Sequence, residues 1–127
     1  MTRRGLVKKL DAVFSEWTRA RHANPDGLVM CVTCRKYRPA KEMHAGHFVS
    51  RRHMATRWEP RNVNPQCAGC NTFRAGEQYL HGKYIDETHG PGTADELVNL
   101  SRTICKWTAK ELQDEIKRFQ SLIGAFA

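Results

Sequence analysis

Apolar residues recur at helical spacing over 5–22, where Leu6, Leu10, Val13, Phe14 and Trp17 share one stripe and basic residues fill much of the rest. The pattern predicts an amphipathic helix whose apolar face docks on the core or on a second subunit. Asn24-Pro25-Asp26-Gly27 has turn chemistry and ends it. Leu28-Val29-Met30 then reads as a short strand. From 44 to 66 no helical stripe exists, which suits a hairpin with a long connection. The run NTFRAGEQYLHGKYI from Asn71 could form a helix, with Gly76 and Gly82 set against its length. His89-Gly90-Pro91-Gly92 is a linker. Two further helices are expected, each opened by a capping box, Thr93 with Glu96 and Thr108 with Glu111. Leu97, Leu100 and Ile104 are the expected buried face of the first, and Leu112, Ile116, Phe119 and Ile123 that of the second.

The chain of 127 residues is expected to form one domain whose modest core would gain from a staple. Two CxxC pairs, Cys31-Val32-Thr33-Cys34 and Cys67-Ala68-Gly69-Cys70, supply one; 32 residues separate them. Zinc takes four tetrahedral ligands, and two such knuckles can aim four thiolates at one point. The long insert weakens this little, because doubling a loop adds only about 0.6 kcal/mol of closure entropy. No apolar run is long enough to span a bilayer, and MTRRGLVKKL lacks the apolar stretch of a signal peptide. The expected location is the cytoplasm, where thiols stay reduced and paired cysteines favour metal over disulfide. Cys105, at the end of a helical stripe, reads as a buried thiol without chemistry.

The formal charge of +8 is uneven. Residues 35–74 carry nine Lys/Arg against Glu42 and Glu59, whereas the chain from 75 onward is net acidic. A basic block around the cysteines is the footprint of a polyphosphate partner. Arg51, Arg52, Arg57, Arg61 and Arg74, with no lysine among them, favour phosphate contacts, since guanidinium grips phosphate bidentately; a solvated face is the plainer alternative. Trp58 reads as packing. His22, His53, His81 and His89 lack supporting context.

A closed four-cysteine site has no position for substrate, so any catalysis must come from residues between and just after the knuckles. His47 lies in Ala45-Gly46-His47-Phe48, Asn62 stands five residues before Cys67, and Asn71 directly follows Cys70. That order resembles the HNH motif of the ββα-metal, or His-Me finger, nucleases. The runs FSEWTRARHANPDGLVMCVTC, AGHFVSRR and TRWEPRNVNPQCAGCNTFRAGEQY further resemble the NinG/Rap family of phage recombination nucleases, over roughly residues 10–85. The layout is also similar to that of the zinc-containing resolvase endonuclease VII. The resemblance implies a zinc-stapled HNH-like core over 28–85; with the helix over 5–22 and the helical pair over 93–124 read from the apolar pattern, the expected fold is α+β. It implies a DNA endonuclease acting on branched intermediates such as Holliday junctions and D-loops, in the cytoplasm of a bacterial host.

By position, the resemblance makes His47 the general base, Asn62 the residue that orients the site and Asn71 a ligand of catalytic Mg²⁺, for which Mn²⁺ could substitute. Many HNH enzymes carry a metal-binding Asp immediately before the base, where this chain has Gly46. His44 is the candidate second ligand, but on a regular strand it should face away from His47 unless a bulge or turn intervenes. A homodimer would suit symmetrical junction cleavage. Two other readings are a non-catalytic zinc-ribbon DNA-binding module and a zinc-dependent thiol oxidoreductase.

Overall fold

The computed structural model describes residues 1–126 as a mixed α+β arrangement of four α-helices and two small antiparallel sheets. Helix α1 (Arg3–His22) starts at Thr2, whose hydroxyl accepts from the Gly5 amide, and buries Leu6, Leu10, Val13, Phe14 and Thr18. Strand β1 (Leu28–Met30) pairs with β2 (Tyr37–Pro39), and β3 (His44–His47) pairs with β4 (Val63–Gln66). Helices α2 (Gln78–His89), α3 (Thr93–Ser101) and α4 (Ala109–Gly124) complete the fold.

Two cores share the work. The larger joins the α1 stripe to Leu112, Ile116 and Phe119 of α4, with Trp58 and Val63 beneath. Phe14 meets Phe119 edge-on at a centroid distance of 4.9 Å, the geometry aromatic quadrupoles prefer. The smaller gathers Val29 and Met43 around Cys31, Cys67 and Cys70. Residues 48–62 connect β3 to β4 as a long loop, held by the fully buried Asn62. Asn62 Oδ1 accepts from the Val49 amide, and Nδ2 donates to the carbonyls of Val49 and Thr56. A buried amide thus meets its needs on backbone that no strand pairs.

Several expectations require correction. The two last helices are not a pair: α3 packs on α2 and α4 on α1. Thr93 makes no capping box; Gly92, in a left-handed conformation, occupies the N-cap, and the Thr93 hydroxyl donates to the Gly90 carbonyl. Ile104 lies past the end of α3 and is 91% exposed, and Cys105 is half-buried in the connection to α4. The run from Asn71 is broken. One π-helical turn (Gly69–Phe73) ends where Ala75, Gly76 and Glu77 all take positive φ, and α2 begins only at Gln78. Asn71 therefore sits inside a turn and caps no helix.

The second box is as expected: the Thr108 hydroxyl accepts from the Glu111 amide, and the Glu111 carboxylate accepts from the Thr108 amide. Thr108→Ala should lower stability by about 1 kcal/mol, whereas Ile104→Ala, removing an exposed side chain, should leave it within about 0.5 kcal/mol. Chemical denaturation of the two variants checks the contrast.

Candidate functional site

The four knuckle cysteines converge, with all four Sγ atoms within 4.8 Å of one another. Strand β1 delivers Cys31, and Arg35, at φ 64, turns the chain back so that its amide donates to the Cys31 carbonyl. Strand β4 delivers Cys67, and the π-helical turn brings Cys70 round behind it. The Val32 amide bonds the Pro65 carbonyl and ties the knuckles together. A tetrahedral zinc with bonds of about 2.3 Å places sulfurs about 3.8 Å apart; Cys34 and Cys67 Sγ stand 3.8 Å apart.

The donors around these sulfurs suit thiolate. The Cys70 amide points at Cys67 Sγ, and Arg74 Nη2 lies 3.1 Å from Cys70 Sγ. Burial opposes ionisation of Cys31, yet backbone donors from Cys34, Cys67 and Thr33 and the Thr33 hydroxyl bring its thiol down to about 6. Burial and the neighbouring Cys31 and Cys67 sulfurs instead push Cys34 up to about 12, so that a cation is needed to hold all four as thiolates. The residues therefore fit a structural zinc ion.

Beside this cluster, a cavity of about 510 Å³ opens between α1 and β3, lined among others by Asp11, His44, His47, Ser50, Arg51 and Asn71. His47 Nε2 lies 2.9 Å from the Arg57 carbonyl. A carbonyl only accepts, so Nε2 carries the proton and Nδ1 is the basic nitrogen of the neutral ring. Burial holds the His47 pKa below its ordinary 6.5, against the raising influence of the Arg57 carbonyl and Asp11. Asn71 Nδ2 stands 3.0 Å from His44 Nδ1. With that imidazole nitrogen accepting, the Asn71 Oδ1 is left for another partner.

The strand holding both histidines has no bulge, its register running from His44↔Gln66 to His47↔Val63. Both side chains nevertheless line one cavity. The sheet has only two strands, so β3 is an edge, and side chains from its two faces can meet around that edge.

Gly46 is fixed by packing. A Cβ there would fall 2.0 Å from Gln66 Oε1, far inside van der Waals contact. Gln66 is fully buried, and its Nε2 donates to the Gly76 carbonyl and the Thr33 hydroxyl, bridging the turn before α2 to the first knuckle. The place that an acidic residue would enter is taken.

The arginines divide. Arg51 and Arg52 are exposed, but Arg57 grips both carboxylate oxygens of Asp11 at 3.0 and 2.6 Å, and Arg61 pairs with Glu59 and Glu96. Arg74, also exposed, reaches Glu77 and Cys70. Asp11 was not singled out by any sequence pattern. It also accepts from Trp58 Nε1, and so locks α1 to the residue whose carbonyl orients His47. Its one sequence signal is that it is the first acidic residue among the basic ones of α1.

Two predictions follow from this geometry. Purified protein should contain about one zinc per chain, and a strong chelator should remove it together with the cooperative thermal transition; metal analysis and circular dichroism check both. Gly46→Asp, although it installs the acidic residue common in HNH enzymes, should lower stability by about 1–3 kcal/mol because Gln66 must give way, as thermal melts will show.

No helix among the described residues is long and apolar enough to cross a membrane. No curated protein and no solved structure gives a significant match to the chain. A family model described as "Bacteriophage Lambda NinG protein" matches residues 2–126, nearly the whole length and well beyond the segment whose motifs suggested it. The chain belongs to the bacteriophage lambda NinG family, a phage recombination-related group.

Proposed function

We propose that the chain is a Mg²⁺-dependent, HNH-type DNA endonuclease that hydrolyses phosphodiesters in branched recombination intermediates. One observation carries the reading: His47 and Asn71, which precede and follow the second cysteine pair in sequence, line a single cavity, and a backbone carbonyl sets the His47 tautomer. The order β3, β4 and a helical turn carrying Asn71 supports the reading of a ββα core.

Hydrolysis requires a base for the attacking water, and neutral imidazole supplies one near neutral pH. His47 Nδ1 takes that proton while Nε2 stays fixed on Arg57. Asn71 Oδ1 is the group to hold a hard cation, which would neutralise charge on the phosphate and on the leaving 3′-oxygen. His44 orients Asn71 through Nδ1, and its Nε2 remains the candidate second ligand of the ion. Asn62 holds the loop from which Arg51 and Arg52 reach flanking phosphates; Arg74 does the same from beyond the second knuckle. The preference for branched DNA follows the family resemblance, and two copies acting together would cut both strands of a junction.

His47→Ala should reduce Mg²⁺-dependent cleavage of a branched substrate by about 10²–10⁴-fold while leaving DNA binding within about twofold. Retained cleavage would exclude His47 as the base. Wild-type protein that binds but never cleaves would instead be a non-catalytic zinc-ribbon binding module. The pH profile is a second check. A base must be unprotonated, and burial lowers the His47 pKa. Activity as kcat/KM should therefore be level through neutrality and fall only as pH drops below about 6.5.

A further inference from the structure

Beyond His47 and Asn71 the surface continues into space that the hydrolytic reading leaves unused. A hollow of about 330 Å³ is lined by His47, Asn71, Ser50, Phe48 and Gln78, and it adjoins a larger one of about 720 Å³ that shares Phe48 and Gln78 with it. The larger hollow is walled by Phe48 and by Tyr79, which is 78% exposed. Phe73, on the turn that carries Asn71, is 84% exposed. Two large rings so open to water, and close in sequence to Asn71, gain nothing from the core.

The hollow is built rather than incidental. Gly82 lies in the interior of α2, where glycine costs about 1 kcal/mol relative to alanine. A Cβ at Gly82 would stand 3.1 Å from the Phe48 ring, so its absence lets that ring lie down on the helix. The same helix holds Phe48 through edge-on contact with the neighbouring His81 ring. Phe48 is therefore seated on α2, and Tyr79 lines the same hollow with its ring exposed.

The surrounding charge selects the occupant. Arg51, which lines the His47–Asn71 cavity, and Arg52 are exposed, Arg74 is exposed but paired with Glu77, and Lys83 lines the hollow. Asp86 and Glu87 also line the hollow, where Asp86 accepts from the Ala94 amide and Glu87 pairs with Arg35. Aromatic faces set among cations suit nucleobases on a phosphate backbone, because any base can stack and the cations follow the strand. A paired base keeps its faces covered by its neighbours in the helix, so the base that enters must be unpaired.

We infer that Tyr79, Phe73 and the Phe48-walled hollow form a stacking site for unpaired bases of a DNA strand that passes from the His47–Asn71 cavity onto α2. The inference rests on the DNA reading above and gives it a substrate feature: single-stranded or unstacked nucleotides beside the cut.

The test uses full-length wild-type protein and the double variant Phe73→Ala/Tyr79→Ala, whose side chains are exposed and leave the cores intact. Binding is measured without added Mg²⁺ to a forked duplex and to a fully paired duplex of equal length, each with 2-aminopurine at matched positions. Wild type should change the probe's fluorescence in the unpaired arm but not in the paired duplex. The double variant should lose that signal and about tenfold or more in affinity for the fork, while affinity for paired duplex stays within about twofold. Tyr79→Phe, which keeps the ring, should bind the fork as wild type does.

Equal loss on both substrates, or none, overturns the inference. So does a fall in self-association of the variant in sedimentation with fork affinity unchanged, since the rings would then serve contact between copies. Cleavage assayed in parallel separates the two ideas. Fork-specific stacking without Mg²⁺-dependent cleavage leaves this site standing and removes the nuclease reading, and cleavage with unaltered fork preference in the variant does the reverse.

Discussion

Convergence of Cys31, Cys34, Cys67 and Cys70 to within 4.8 Å obliges residues 35–66 to leave one point and return to it. The two-stranded β3–β4 sheet is the return path, and its register places His47 opposite Val63, three residues before Gln66 and the second knuckle. The core around the cysteines is small, offering chiefly Val29 and Met43 as apolar partners. Burial on that scale cannot close so long an excursion without help, and a zinc bound by four thiolates would supply the missing cohesion. The larger core, on α1 and α4, is the complementary half: it holds Trp58 and Val63, and so grips the same excursion from the opposite side.

Between the halves runs a short chain of polar contacts that decides the chemistry. Asp11 on α1 accepts two bonds from the Arg57 guanidinium and one from Trp58 Nε1. These fix the backbone of a loop that has no strand partner, and the Arg57 carbonyl in that loop fixes His47. The pair is largely shielded from water, with side chains 16% and 24% exposed, so removing either member would strand a charge in a poorly solvated place. Asn62 immobilises the same loop at Val49 and Thr56. Two independent anchors thus hold one irregular segment and, through it, the His47 ring.

What could be read from the chain divides by range. The CxxC spacing, the stripe of α1 and the Thr108–Glu111 box are patterns within a few residues, and each stands in the structure where expected. The Thr93–Glu96 box has the same letters but fails, because Gly92 can adopt φ 88 and takes the cap position itself. The break before α2 rests on three successive positive φ values, two of them at Ala75 and Glu77, residues that give no warning of it. The Asp11–Arg57 pair spans 46 positions and the Gln66–Gly46 contact spans two strands. No local pattern encodes either. The candidate site was therefore legible as a set of residues, and its supporting shell was not.

The closeness of Cys70 and Asn71 follows from the same division of labour. A four-thiolate site is saturated, so it can hold backbone still but cannot bind substrate. The residue following its last ligand inherits that stillness, and here it is Asn71, whose backbone is pinned by a bond from its amide to the Cys67 carbonyl. Its side chain is aimed in turn by His44. An exposed asparagine at a loop tip would lose side-chain entropy on each binding event, whereas this one is already ordered. Gly46 completes the logic: with Gln66 packed against its Cα, the β3 edge contributes a histidine on either side and no carboxylate. Apart from the Asp11 carboxylate, which Arg57 already holds, any hard cation drawn to this cavity would thus meet neutral oxygen and nitrogen donors. It would be held weakly until a phosphate arrived to share it, so metal binding and substrate binding would be coupled events.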